Sequence, residues 1–157
     1  MPQLTVRAAD VSEAEAIAHL INQAFLAERL FIKGERTDAA GIRSLFAKGD
    51  FLLGFLDSAL VACVYLEPHK PRAYLGLLSV DPSRQHTGLG TELMAAAEER
   101  CRAAGCSFVD LRFINHRNEL LRFYSRLGYH ESGTAPFPDT ARMKMPFHFI
   151  QMSKALT

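Results

Sequence analysis

Leu4, Val6 and Ala8 alternate with Thr5 and Arg7, the period-two pattern of a half-buried strand. Ser12 followed three residues later by Glu15 has the spacing of a capping box, and Ile17, Leu20, Ile21 and Ala24 then recur at helical intervals. Asp38 is placed to cap a second helix with Ile42, Leu45 and Phe46 on its inner face. Between the two helices, residues 28–37 show little periodicity, and an irregular stretch of that length in a compact domain points to a functional loop. Residues 51–56, an Asp57-Ser58 turn and residues 59–67 predict a hairpin of two buried strands. Pro68 to Pro71 supplies the next turn and residues 73–80 a third strand, completing an antiparallel meander.

From Gly90 the pattern turns helical, with Leu93, Ala97, Cys101 and Ala104 on one stripe and Gly105 as the stop. Residues 108–114 form the next strand; reached through a crossover helix, it must pair parallel to its predecessor. Asn118 is expected to cap a short helix carrying Leu120, Phe123, Tyr124 and Leu127, which Gly128 ends. Residues 129–133 and 147–153 are the last two strands, separated by a loop with Pro136, Pro138 and Pro146. The predicted class is therefore α/β (α+β): one domain over residues 1–157, with a mixed, mostly antiparallel sheet of six or seven strands flanked by about four helices.

Composition narrows the possible partners. A chain of 157 residues, 48% hydrophobic and 22% charged, buries enough surface to fold without disulfide or metal staples. Eighteen Lys plus Arg against seventeen Asp plus Glu leaves a net charge of +1, which excludes a surface-wide trap for nucleic acid or anionic membrane. The apolar run over residues 59–66 is far shorter than the roughly 18 residues needed to span a bilayer. Residues 1–10 lack the layout of a signal peptide, so a cytoplasmic protein is expected. Cys63, Cys101 and Cys106 are an odd set without CxxC spacing, in keeping with a reducing compartment. The six histidines form no metal-ligand spacing, and no metal is expected.

The chemistry concentrates in residues 80–93, where a strand runs through a glycine-bearing loop into a helix N-terminus. Gly88 and Gly90 remove side chains where a ligand must approach the backbone, and the orphan amides of the first helical turn face outward with the positive end of the helix dipole. Such an arrangement cradles phosphate or pyrophosphate. A dinucleotide fingerprint does not fit, because Leu93 stands at its third glycine position and seven residues separate Val80 from Gly88. No GK[ST] follows, which excludes a P-loop.

Gln85-x-x-Gly88-x-Gly90 after Val80-x-Pro82 resembles motif A of the GNAT N-acetyltransferase superfamily, with Gln85 where Arg is more usual. Residues 119–129, including Phe123-Tyr124 and ending Gly128-Tyr129, resemble its motif B, and the order of elements is similar to the GNAT order over nearly the whole chain. The resemblance implies an acetyl-CoA-dependent N-acetyltransferase that moves an acetyl group to a primary amine of a small molecule or peptide by direct transfer, as a monomer or homodimer. A non-catalytic acyl-CoA-binding sensor or interaction module on the same fold is the alternative. Leu78, Ser79 and Val80 would then meet the pantetheine arm, with the Leu78 amide directed at the thioester oxygen. Gln85, His86, Thr87, Gly88, Leu89, Gly90 and Thr91 would hold the pyrophosphate.

Tyr124 matches the motif B tyrosine used as general acid toward the departing thiolate, and its ordinary pKa of about 10 keeps the phenol protonated near neutrality. The family often has Asn seven positions before this tyrosine; Arg117 stands there instead, between Asn115 and Asn118, and which of the three meets CoA is open. Arg112, Arg117, Arg122 and Arg126 could face the cofactor phosphates, with Arg122 better suited to a solvated face. For the general base the first choice is Glu67, at the end of the strand preceding the pantetheine strand, with His69, Asp81 and Glu28 competing. Transfer through Cys63 would need an activated thiolate beside a base, and no such pairing is visible. By analogy with the family, Glu28, Phe31 and Arg36 of the loop over residues 28–37, Tyr65 and Tyr74, and the loop from Pro136 to Pro146 would line the acceptor side, with Arg36 able to hold an acceptor carboxylate or only to cap the next helix. Residues 1–83 carry 8 basic and 10 acidic groups and residues 84–157 carry 10 and 7, so the neutral total conceals a polarity that weakly favours a cationic amine acceptor.

Overall fold

The computed structural model describes residues 4–156, and its first strand, β1 (Thr5–Ala8), sits at one edge of the sheet. The meander is β2 (Asp50–Leu56), β3 (Ala59–His69) and β4 (Arg72–Val80); β5 (Phe108–Ile114), β6 (His130–Pro136) and β7 (His148–Ala155) complete a seven-stranded sheet in the order β1-β2-β3-β4-β5-β7-β6. All pairs are antiparallel except β4 with β5. Four helices flank it: α1 (Ala14–Ala24), α2 (Ala39–Leu45), α3 (Leu89–Ala103) and α4 (Asn118–Arg126). No helix among the described residues is long and apolar enough to cross a membrane.

The continuous apolar runs of β2 and β3 have a simple cause, because alternate side chains feed two different cores. Phe51, Leu53, Cys63 and Tyr65 pack with Ile17, Ile21 and Ile42 of α1 and α2. Leu52, Val64 and Leu66 face the other way, onto Leu93, Met94, Ala97 and Cys101 of α3. Each fully buried Leu or Ile in these layers contributes about 1.5–3 kcal/mol. Asp57 and Ser58, both with positive φ, form the tight hairpin turn that matches strand twist. Inside the α3 core, the Glu98 carboxylate accepts from Tyr129 Oη at 2.8 Å and from Lys154 Nζ at 2.8 Å, joining α3 to β7.

Several local expectations shift. The capping box that opens the first helical segment is Asp10 with Glu13, not Ser12 with Glu15: Asp10 accepts from the Ser12 amide, Glu13 accepts from the Asp10 amide at 2.8 Å, and a 3₁₀ turn precedes α1. Both pairs share the three-residue spacing, and Arg7 decides between them by holding Glu13 at 2.7 Å. Asn118 is the first residue of α4 and does not cap it; Arg117 occupies the cap position, and its side chain makes no capping bond to the helix backbone. β3 runs on through Pro68 to His69, β6 to Pro136 and β7 to Ala155.

Gly49, between α2 and β2, is required by close approach. A Cβ there would lie 2.3 Å from the Leu66 carbonyl oxygen and 2.9 Å from Tyr65 Oη, so backbone has to move to admit it. Gly49→Ala is therefore expected to cost about 1–3 kcal/mol through overpacking, measured as a lowered denaturation midpoint at unchanged m-value. A midpoint equal to wild type would contradict the packing described.

Two irregular segments, each patternless in sequence, are stitched together. Ile32 bridges Met143, the Lys33 amide donates to Arg142 O at 2.8 Å, and the Lys144 amide donates to Phe31 O at 2.8 Å. Beneath them Ile32, Ile114, Phe137, Phe147 and Phe149 form a third small core at the end of β5 and the start of β7.

Candidate active site

The parallel pairing of β4 with β5 lasts for three registered pairs, Arg72 with Phe108, Ala73 with Val109 and Tyr74 with Asp110, and then the strands part. A β-bulge on the β3 side of β4 follows directly. Gly76 stays paired with Tyr65 and Ser79 with Cys63, so Leu77 and Leu78 together oppose the single residue Val64. Leu77 sits at φ +56°, a conformation that costs a branched side chain energy and is retained where surrounding structure imposes it. Beyond Tyr74, the edge of β4 that faces β5 therefore has no ladder partner among the described residues, and its polar backbone groups border the opening.

Into this fork opens a cavity of about 610 Å³, lined by Gly76, Leu77, Leu78 and Val80 on one wall and by Leu111, Phe113 and Tyr124 on the other. At one end lies the glycine loop, contributing Gln85, His86, Gly88, Leu89, Gly90 and Thr91. His86 at φ +64° and Gly88 at φ +86° flank Thr87, an alternation that turns successive amides toward one side and leads into the fifteen-residue α3. No atom lies within 4 Å of a Cβ placed on Gly88, whereas one on Gly90 would press to 3.4 Å from Phe123. The loop is braced by its own side chains: Asp81 accepts from Ser83 N and Oγ, Gln85 donates to Val80 O at 3.3 Å, and Thr87 donates to Arg84 O. Arg84, Arg122 and Arg126 also line the cavity, so Arg122 faces it and is not confined to a solvated surface.

Tyr124 stands at the middle. Its ring packs against Phe113 at 5.8 Å and Tyr129 at 5.9 Å, the residue lines the cavity, and none of the side-chain hydrogen bonds among the described residues involves its hydroxyl. Burial, with the nearby Tyr74 adding to it, raises its pKa above the ordinary phenol range against the pull of Arg117.

The far end is built from the stitched segments. Glu28, buried, accepts from Arg117 at 2.9 Å and pairs with Arg36 at 3.6 Å. Its pKa is raised by burial, the charges of Arg36 and Arg117 opposing the shift. Arg112 stacks over Phe149 at 4.7 Å and Tyr74 at 5.7 Å. Phe25, Ile32, Phe137 and Phe149 make the remaining wall apolar.

The residues singled out in sequence thus divide. Tyr124, Leu78, Val80, Gln85, His86, Gly88, Leu89, Gly90, Thr91, Glu28, Arg36 and Tyr74 meet at one cavity. Ser79 is buried under β4, with its hydroxyl on Leu77 O, and Thr87 is turned onto Arg84. Tyr65 is buried, its hydroxyl donating to Glu67 at 2.6 Å with Leu45 O also within reach at 3.1 Å, while Phe31 stacks on His116 at 5.3 Å; neither lines the cavity. Of the three residues around position 117, Arg117 lines the cavity; Asn115 is occupied in accepting from the His148 amide, and Asn118 lies outside.

Glu67 lies outside the cavity as well. Its carboxylate is held by the Tyr65 hydroxyl and by His69, and these bonds, Tyr65 first, depress its pKa. Of the four base candidates, Glu28 alone lines the cavity. Cys63 is buried beneath the bulge with its thiol pushed up to about 12 by burial, the opposite of an activated nucleophile. Arg112, grouped in sequence with the phosphate-facing arginines, stands instead among the aromatic residues of the far end. Nothing in its sequence context signalled this, because the fork that exposes it is not a sequence feature.

Residues 14–129 match the family model described as the acetyltransferase (GNAT) family. A comparison with curated proteins returns no match. Among solved structures, Ard1 from Thermoplasma volcanium superimposes with a TM-score of 0.80 at 19% identity, covering 98% of each chain. The ribosomal-protein-S18-alanine N-acetyltransferase from Escherichia coli gives 0.74 at 17% identity over 99% of this chain and 95% of that one. The structure of yncA from Salmonella typhimurium with its cofactor acetyl-CoA gives 0.74 at 16% identity over 98% and 94%. At such identities the likeness establishes the fold.

Proposed function

The chain belongs to the acetyltransferase (GNAT) family, and from that premise we propose that it is an N-acetyltransferase that uses acetyl-CoA as acyl donor and a primary amine as acceptor, by direct transfer. The observation that carries this is the fork itself, with unpaired β4 backbone, the glycine loop and the Tyr124 hydroxyl all facing one cavity. The donor's shape fits these walls. Two amides of a pantetheine arm can bond the free edge of β4 from Gly76 to Val80, and a pyrophosphate suits the amides of residues 86–91 with Arg84, Arg122 and Arg126 beside them.

Acetyl-CoA supplies an activated acetyl thioester; the protein does the rest by placement. The Leu78 amide, at the bulge, is the donor offered to the carbonyl oxygen on which charge builds. Tyr124, kept protonated by burial, holds the proton that the departing sulfur needs. Glu28, the carboxylate inside the cavity, accepts a proton from the acceptor ammonium, directly or through water, and burial makes it a better base than an ordinary surface carboxylate. Glu67, outside the cavity, is tied to Tyr65 and His69 along β3. A silent acyl-CoA sensor would have no use for an unpartnered phenol at this point.

CoA should displace a bound fluorescent CoA analogue where NAD and ATP at equal concentration do not, and free thiol should appear when acetyl-CoA is mixed with a panel of amino acids, polyamines, aryl amines and peptides. Preference for either nucleotide would defeat the donor assignment. CoA binding with no thiol release on any amine would leave a sensor.

A further inference from the structure

Resting on the transferase assignment, we infer that the acceptor carries a carboxylate beside its amine, and that Arg112, with Arg36 next to it, binds that group. The charge polarity of the sequence weakly favours a cationic amine acceptor, but of the ten acidic residues in positions 1–83 only Glu28 lines the cavity. At its far end Arg36, Arg112 and Arg117 stand against Glu28 and Glu119. Arg117 bonds both carboxylates, at 2.9 Å and 3.0 Å, and Arg36 shares Glu28. Arg112 has no carboxylate partner among the described residues. The obvious internal candidate, Asp110, two residues earlier on the same face of β5, is taken by Arg72 through two bonds of 2.7 Å and 2.6 Å.

Arg36 and Arg112 lie near enough for their like charges to oppose one another, a repulsion that a bound anion would relieve. The Arg112 guanidinium carbon lies over the Phe149 ring at 4.7 Å and the Tyr74 ring at 5.7 Å, contacts that hold the group at the cavity wall without occupying it with a carboxylate. Of the three arginines lining this end of the cavity, Arg112 is the one whose guanidinium meets no carboxylate among the described residues, which suits the single carboxylate of an amino acid. With Glu28 at the amine and Phe25, Ile32 and Phe137 around the remaining volume, the ligand class is an amino acid with an apolar side chain.

The test compares L-leucine, L-methionine and L-phenylalanine with their carboxamides, as acetyl acceptors and, separately, as ligands titrated calorimetrically into the CoA-saturated protein. A charge-assisted pair predicts that each acid exceeds its amide about tenfold or more in kcat/KM and in affinity. Arg112→Gln should bring acids down to the level of amides, and Arg112→Lys should retain part of the preference, showing that the loss is not one of folding. Amides equal to or better than acids, or a preference that survives Arg112→Gln, would overturn the inference. The calorimetric arm decides it even if no acetyl group moves, whereas failure of CoA to bind would strike the transferase assignment instead.

Discussion

Tyr124→Phe should lower kcat by about 10²- to 10⁴-fold while leaving the affinity for acetyl-CoA nearly unchanged. The substitution removes one oxygen and nothing else. The ring stays packed between Phe113 and Tyr129, and since no side-chain hydrogen bond among the described residues involves the hydroxyl, none is broken. The sign of the pKa shift sharpens the expectation. Because burial raises the phenol above its ordinary range, Tyr124 is a proton donor throughout neutral pH, and any decline of the wild-type rate near pH 8 to 9 must come from another group. Equilibrium binding of acetyl-CoA and single-turnover rates measure the two quantities separately. An unchanged single-turnover rate in the variant would remove the acid role.

Glu28 should give the second large effect, in two separable parts. Glu28→Ala leaves Arg117 and Arg36 facing each other's charge without the carboxylate between them, at a cost of about 3 kcal/mol; the low end of the range for broken buried pairs applies because the cavity admits water. Glu28→Gln keeps the volume and an acceptor oxygen, so it folds and isolates the chemistry, with kcat falling about 10²-fold. The pH profile carries the diagnosis. A base with a raised pKa loses activity as pH falls through that raised value, so the acid limb of kcat/KM in the wild type lies higher than for a surface glutamate. In Glu28→Gln that limb should vanish, leaving only the ionisation of the amine. Profiles that superimpose after scaling would assign the base elsewhere.

The glycine loop and Tyr124 were legible in sequence because both depend on local spacing: Gly88 and Gly90 before a helical stripe, and Tyr124 on a helix ended by Gly128. The order of elements was legible for the same reason, since hydrophobic period and turn chemistry act over a few residues. What stayed hidden was set by distant partners. Leu77 and Leu78 read as ordinary strand residues, and the bulge exists only in register with β3. Glu67 looked well placed because its strand ends near the cleft, but Tyr65 and His69, two residues to either side, hold its carboxylate away. The position of the capping box was ambiguous for a local reason: Asp10/Glu13 and Ser12/Glu15 have equal spacing two residues apart, and the pairing of Arg7 with Glu13 favours the first.

The seam in which Ile32 bridges Met143 bears on how new specificity can arise in such a scaffold. Two stretches more than a hundred residues apart in the chain form one woven wall, so neither can be exchanged without the other. A graft that imports only the first stretch would lose the amide partners at Arg142 and Phe31 and misplace Glu28 and Arg36 together. Retargeting this domain is therefore a two-segment transplant, with the donor-binding loop carried over untouched.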